Sequence, residues 1–268
     1  MVGVDGLNTI GTGVRCHFVQ PIEQGEYLQA SASFEEGLAL FRKLDNKRGI
    51  AASLTQMAAT LFVSQSDQMM VSPLLAQGLS LDREVGDKEG MAVSSLLLGS
   101  VALKQGDAAT ARTRVEEGLL LYREMGYREG IAEALAILGK VEAARGDLPL
   151  ARTLYEESLT MARELGQGEL IATGLEGLAW TIAAQGDSAQ AARLWGRAEV
   201  LRETLGAPLH PVERADYNLA VAAARDRLGE GRFISTWQEG RLLATDRVLP
   251  RAATPVIGEN SIPDFTNS

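Results

Sequence analysis

The chain has 268 residues, is 46% apolar but only 5% aromatic, and carries a formal charge of −9. That balance argues against nucleic acid as a direct partner, because phosphate contacts need a basic patch. Its basic residues are interspersed with acids, as in Arg112-Thr113-Arg114 beside Glu116-Glu117, which is the pattern of a solvated helix face.

Residues 1–23 are the least regular. Gly3, Gly6, Gly11, Gly13 and Pro21 weaken any helix there, so 1–23 reads as an irregular cap or an incomplete first helix, or else the chain is the downstream part of something longer. No basic stretch followed by an apolar core marks a secretory signal. No apolar run reaches membrane-spanning length, so no membrane partner is expected and the cytoplasm is the default location. Cys16 is the single cysteine, so an intrachain disulfide is excluded.

A helix is predicted over about 27–44. A forty-residue period then sets in. Asp67, Asp107, Asp147 and Asp187 recur at that spacing, and Gly106, Gly146 and Gly186 precede three of them. Glycine supplies the left-handed residue that ends a helix, and aspartate accepts N–H bonds at the start of the next. A second series, Gly86, Gly126, Gly166 and Gly206, closes the other end, with Leu44-Asp45 as a degenerate first copy. Each period therefore holds a first helix (about 47–64, 88–104, 128–145 and 168–184) and a second helix (about 68–85, 108–125, 148–165 and 188–205). Pro73 and Pro149 sit in first turns, where a missing N–H does little harm.

Small and large residues recur on one face of the second helices. Ala30, Phe34 and Gly37 align with Val71, Leu75 and Gly78, with Ala111, Val115 and Gly118, with Ala151, Tyr155 and Ser158, and with Ala191, Trp195 and Ala198. The small residues admit a neighbouring helix and the large one fills the gap. The first helices carry Leu98-Gly99, Leu138-Gly139 and Leu178-Ala179. This arrangement resembles the tetratricopeptide repeat over about residues 24–205, with a period longer than that family's usual length of about 34. Glu142 stands where the family often has a tyrosine. The resemblance implies an all-α, right-handed α-solenoid of about five helix pairs, each packing mainly on its neighbours.

Residues 206–249 are expected to cap the array. Pro211 to about Leu228 forms a helix with Val212, Ala215, Leu219, Ala222 and Ala223 on one side, and a shorter helix, about Arg232–Ala244, presents Phe233 and Trp237. From 250 to 268 the composition suggests a disordered tail. The segments Ala192-Arg193-Leu194-Trp195-Gly196, Gly206-Ala207-Pro208, Pro211-Val212-Glu213-Arg214 and Trp237-Gln238-Glu239-Gly240-Arg241 are similar to the C-terminal repeat regions of bacterial STAND-class signalling ATPases and LuxR-type transcriptional regulators. That likeness implies a sensor or interaction region detached from its effectors.

No catalytic constellation emerges. Gly6 to Gly11-Thr12 has the glycines of a phosphate loop without its lysine. His17 beside Cys16 lacks the further ligands of a zinc site. Paired glutamates such as Glu116-Glu117 and Glu156-Glu157 recur at one repeat position, and Arg145-Gly146-Asp147 is one of the repeat turns. No enzyme activity, cofactor or metal is therefore expected.

The resemblance places the first helices on the concave face. The outward positions carried over for a partner-binding groove are Ser53, Gln56, Thr60, Leu96, Ser100, Leu103, Glu133, Lys140, Thr173, Glu176 and Trp180. Trp180 is the expected anchor of an interface, with packing near Tyr217 as the alternative. Two functions stay open: a scaffold holding a protein or peptide in the groove, and a sensor binding a small molecule inside the superhelix.

Overall fold

The computed structural model describes residues 24–244, so the expectations for 1–23 and 250–268, including Cys16 and His17, lie outside the described residues. Among the described residues there are eleven helices and no strand. They are α1 (Gln24–Lys43), α2 (Lys47–Ser64), α3 (Gln68–Val85), α4 (Lys88–Lys104), α5 (Ala108–Met125), α6 (Arg128–Arg145), α7 (Leu148–Leu165), α8 (Gly168–Ala184), α9 (Ser188–Leu205), α10 (Pro211–Leu228) and α11 (Glu230–Ala244). From α2 to α9 the helix ends coincide closely with the forty-residue landmarks, and the architecture is a tetratricopeptide-like α-solenoid.

The turns explain the agreement. Gly86, Gly106, Gly126, Gly146, Gly166, Gly186 and Gly206 all have positive φ, the conformation a residue with a Cβ avoids. Asp107, Asp147 and Asp187 then accept from the N–H groups of Thr110, Leu150 and Gln190 at 3.0, 3.1 and 2.9 Å. Asp45 fills the degenerate first landmark at φ 51°. Asp67 departs from the series. Glycine is missing before it, Gln65 takes the left-handed position, and Asp67 makes no side-chain cap bond. Asn46 and Asp87 are caps that the forty-residue series did not include, accepting from Gly49 and Gly90 at 3.0 and 3.2 Å.

Each helix packs on its partner within the repeat and on the first helix of the next. The large residue of the second helix is the wedge between them. Tyr155 on α7 is 4% exposed, and its ring lies against Gly139 of α6 and Gly177 of α8. A Cβ would come within 3.1 Å of the ring at Gly139 and 2.2 Å at Gly177. A second set of ring-on-glycine contacts joins α1 to α2 through Phe41 and Gly49, and α5 to α6 through Tyr122 and Gly130. Glu142, in the position where the tyrosine was absent, is 2% exposed and pairs with Arg112 at 3.3 Å and Arg145 at 3.2 Å.

Helix α11 covers the last second helix. Gly196 of α9 and Gly240 of α11 bring the two backbones together, since a Cβ would lie 2.2 Å from the Trp237 carbonyl oxygen or 2.0 Å from that of Arg193. Trp237 stacks near Trp195 and Phe233 and donates to Glu199 at 2.7 Å. Arg241 reaches both Glu199 and Glu203. Helix α10 leaves this end of the array and turns back across it.

Two predictions follow from this packing. Tyr155→Ala removes the wedge between α6 and α8 and is expected to cost about 3–5 kcal/mol by urea denaturation, with hydrogen exchange rising first in α6–α8. A loss below about 1 kcal/mol would be that of a surface residue and would contradict the packing. The second concerns Asp82, 3% exposed on α3. Burial first, and then the Asp87 carboxylate, push its pKa up to about 7 against the opposing charge of Arg48. The folded state therefore keeps a proton that the unfolded chain releases near pH 4. Stability from this group is fully present below about pH 4 and falls as the pH rises towards 7. Asp82→Asn is expected to leave stability unchanged at pH 4 and to raise it at pH 8 by roughly 2–4 kcal/mol, about 1.4 kcal/mol per pKa unit. Equal stability of the two proteins at pH 8 would count against the buried, protonated carboxyl.

Candidate functional site: the inner face and the helix that crosses it

The first helices α2, α4, α6 and α8 touch one another along the array more closely than the second helices do. They therefore line the inside of the curve. Helix α10 lies along this inner face. Its first turn places Val212 in an apolar cluster with Ala58, Phe62 and Val63 of α2 and Leu97 and Val101 of α4. Next, Lys104 at the end of α4 donates to the Val212 carbonyl at 3.1 Å and pairs with Asp216 at 2.8 Å. Lys140 of α6 pairs with Glu213 at 3.1 Å. At the far end, Arg227 donates to the Ala183 carbonyl of α8 at 3.0 Å, and Tyr217 meets the Trp195 ring edge-on at 6.2 Å.

Pro211 starts α10, where its missing N–H is harmless. Glu213 in the first turn complements the positive end of the helix dipole. The carboxylates of Glu213 and Asp216 stand one turn apart and so reach one side of the groove. Lys104 and Lys140 are 36 residues apart, about a turn short of the repeat period, and present two ammonium groups to that side. Burial raises the Glu213 carboxyl, but the charge and hydrogen bond of Lys140, with His210 and Arg202, outweigh it and hold Glu213 below the ordinary glutamate value. For Lys140, burial acts against the charge and Glu213 overcomes it, leaving the amine above its ordinary value.

A second charged group sits beside this contact. Arg202 at the end of α9 grips Glu176 of α8 with two bonds of 2.6 and 2.7 Å. It also donates to Thr173 at 3.2 Å and to the Ala207 carbonyl at 3.1 Å, which fixes the chain between α9 and α10. Both side chains of the pair are 11% exposed. Such a shielded, bidentate pair is costly to break, because either partner alone would leave an uncompensated charge. Burial is the largest influence on Glu176 and raises it despite Arg202. His210 Nδ1 is buried without a hydrogen-bond partner among the described residues, and burial lowers its pKa. Glu133 is half-buried and makes no ion pair among the described residues. Burial, followed by Glu129, pushes it up to about 8.

The positions carried over from the repeat pattern differ in burial and in what they contact. Ser53, Gln56, Thr60 and Leu96 are buried. Ser53 lies near Gly37 of α1, and Leu96 packs on Gly118 of its own partner α5. Thr60 bonds back to the Gln56 carbonyl at 2.9 Å. Ser100 and Leu103 are half-buried, Ser100 bonding back to Leu96 and Leu103 lying against the core. Thr173 and Glu176 belong to the Arg202 group. Lys140 faces α10, and Trp180 is 36% exposed on α8. Lys104, Arg202 and the α10 acids were missed. Only the near-repeat spacing of the two lysines could have signalled them.

Family models described as tetratricopeptide repeat match residues 130–199 and 92–117. No curated protein sequence matches the chain. Among solved structures, the crystal structure of BtubC (BKLC) from P. vanneervenii is similar at a TM-score of 0.59 and 16% identity, over 90% of this chain and 96% of that one. At that identity the likeness shows the fold alone. No described helix is long and apolar enough to cross a membrane. Residues 92–117 and 130–199 thus match tetratricopeptide repeats, the kind of unit that generally mediates protein–protein interaction, within an α-solenoid whose inner face holds one of the chain's own helices.

Proposed function

We propose that this protein is a non-enzymatic scaffold that binds a protein or peptide on the inner face of its solenoid. The observation that carries the reading is the chemistry of that face. Lys104, Lys140 and Trp180 differ from their counterparts in the other repeats, and repeat-to-repeat packing does not require them. The same face accommodates a helix, α10. The finer reading, a sensor or interaction region of a bacterial signalling or transcriptional regulator, draws its support from the likeness of the segments between 192 and 241 to such proteins. The metabolite-sensing alternative is favoured by one feature: half-buried Glu133 of α6 and buried His210 Nδ1 of the α9–α10 connection have no ion-pair or hydrogen-bond partner, respectively, among the described residues.

The test begins with cross-linking in the native host to identify a partner, followed by calorimetry with the purified pair. Trp180→Ala is expected to weaken binding by about 2 kcal/mol or more, the scale of an interface hot spot, with unchanged helical content. A mutant that binds as tightly as the parent would remove Trp180 from the interface, and one that unfolds would make it a core residue.

A further inference from the structure

Where a second helix meets the first turn of the helix after it, Phe41 lies on Gly49 and Tyr122 on Gly130. The same slot at the α3–α4 boundary holds Asp82 and Gly90, and a Cβ at Gly90 would come within 2.5 Å of the Asp82 carboxyl. A carboxyl group thus stands where other repeats place an aromatic ring. It is buried and accepts no hydrogen bond among the described residues. Polar character continues into the first half of α4. Thr55 of α2 and Ser94 of α4 share a hydrogen bond of 3.1 Å. Ser94 and Ser95 are buried at the positions that Ala134 and Leu135, and then Gly174 and Leu175, hold in the later repeats. The second half of α4 is different. Its Leu97 and Val101 share an apolar cluster with Phe62 and Val63 of α2, Val71 and Leu75 of α3 and Val212 of α10. The contact of α4 with the preceding repeat therefore has a polar end and an apolar end.

We propose that this boundary is a pH-dependent hinge of the solenoid, in which loss of the Asp82 proton opens the polar end while α4 pivots on the apolar cluster at the other. The charged groups facing Asp82 are Asp87 of the α3–α4 turn and Arg48 of α2, which pair with each other at 2.6 Å. From α4 the facing residue is the uncharged Gly90. On α3 itself, Glu84 is turned to Lys47 at 2.8 Å. With Arg48 held by Asp87, an ionised Asp82 meets a like charge and a glycine, and no donor replaces the water it has lost. Burial and Asp87 hold the closed-state pKa up at about 7, whereas a carboxyl reached by water titrates near 4. Opening is therefore linked to proton release. Its equilibrium constant rises by up to about tenfold per pH unit between about pH 4 and 7 and levels off above that. Helices α2 and α4 line the inner face on the two sides of the hinge, so the surface offered to a partner changes shape with pH. The hinge stands without the scaffold reading; only that consequence rests on it.

Hydrogen exchange of the full chain, corrected for the intrinsic pH dependence of amide exchange, tests the hinge. Protection then reports the local opening constant. For amides of residues 79–95 that constant is expected to rise at least about tenfold from pH 5 to pH 7, with little further change at pH 8. Amides of α6–α9 are expected to change by less than about twofold over the same range, because their local opening does not expose Asp82. Asp82→Asn keeps the shape of the side chain without its charge and should abolish the rise in 79–95. A parent chain whose 79–95 amides show no rise would overturn the hinge. A rise of equal size in α6–α9 would mean that Asp82 ionises only when the whole chain unfolds, and would overturn it as well. A rise that persists in Asp82→Asn would assign the effect to another group. No partner enters the measurement, so its failure is distinct from a failure of the Trp180→Ala test.

Discussion

The structure depends on a steric constraint: a large side chain from the second helix must fit against a first helix that offers it a glycine, as Val115 does at Gly99 and Tyr155 at Gly139. Tyr155 shows it most clearly, with its ring against Gly139 on one side and Gly177 on the other. A methyl group at Gly177 would occupy the space of the ring. The contact therefore fixes how far apart successive repeats lie and how they are rotated. Interiors packed at crystal-like density transmit such a constraint along the whole array. In a solenoid each unit rests mainly on its neighbours, so this repeated wedge determines the curvature that gives the inner face its shape.

That curvature creates a surface with different chemistry from the core beneath it. The packing residues are small or apolar in every repeat, whereas the inner face carries Lys104, Lys140, Glu176 and Trp180 in turn. Helix α10 meets this surface with charged residues in its first half and with an apolar side, Tyr217, Ala220, Val221, Ala224 and Leu228, along the rest. Its carboxylates match the two lysines, while a second apolar side, Ala215, Leu219, Ala222 and Ala223, remains exposed. The Arg202–Glu176 pair ties the preceding connection to α8 and α9 and sets where α10 enters. Thus a tightly shielded ion pair anchors the entrance, and more exposed pairs together with apolar packing hold the helix itself.

Much of the fold was legible because its decisive signals are local. A glycine that must take positive φ and an aspartate that caps the next helix leave a mark every forty residues. Where the glycine is missing, before Asp67, the cap is missing too. The ring-on-glycine contacts of Phe41 with Gly49 and Tyr122 with Gly130 were less visible, because each joins residues eight apart across a turn and appears in only some repeats. The inner face was legible in part. Lys140 and Trp180 are on accessible positions, but Leu96 faces Gly118 of its own partner helix and Ser53 faces α1. These orientations are set by which neighbour covers each turn, a non-local property that positions carried over from a shorter repeat do not encode. The course of α10 was hidden for a related reason. Hydrophobic patterning points to Ala215, Leu219, Ala222 and Ala223 as its buried side, whereas the side that packs is Tyr217, Ala220, Val221, Ala224 and Leu228, and its first turns are set by carboxylates whose lysines lie 73 and 112 residues earlier.

Helix α10 lies along the inner face of its own solenoid, with its acids on the lysines of α4 and α6. Zero-length carbodiimide coupling tests it directly, because an amide forms only between an amine and a carboxylate already in contact. Applied to the monomeric chain and followed by peptide mass spectrometry, it should join Lys104 to Asp216 and Lys140 to Glu213. If both lysines couple only to carboxylates within the repeats, or if the α10 links occur only in cross-linked dimers, the helix does not occupy the groove of its own chain.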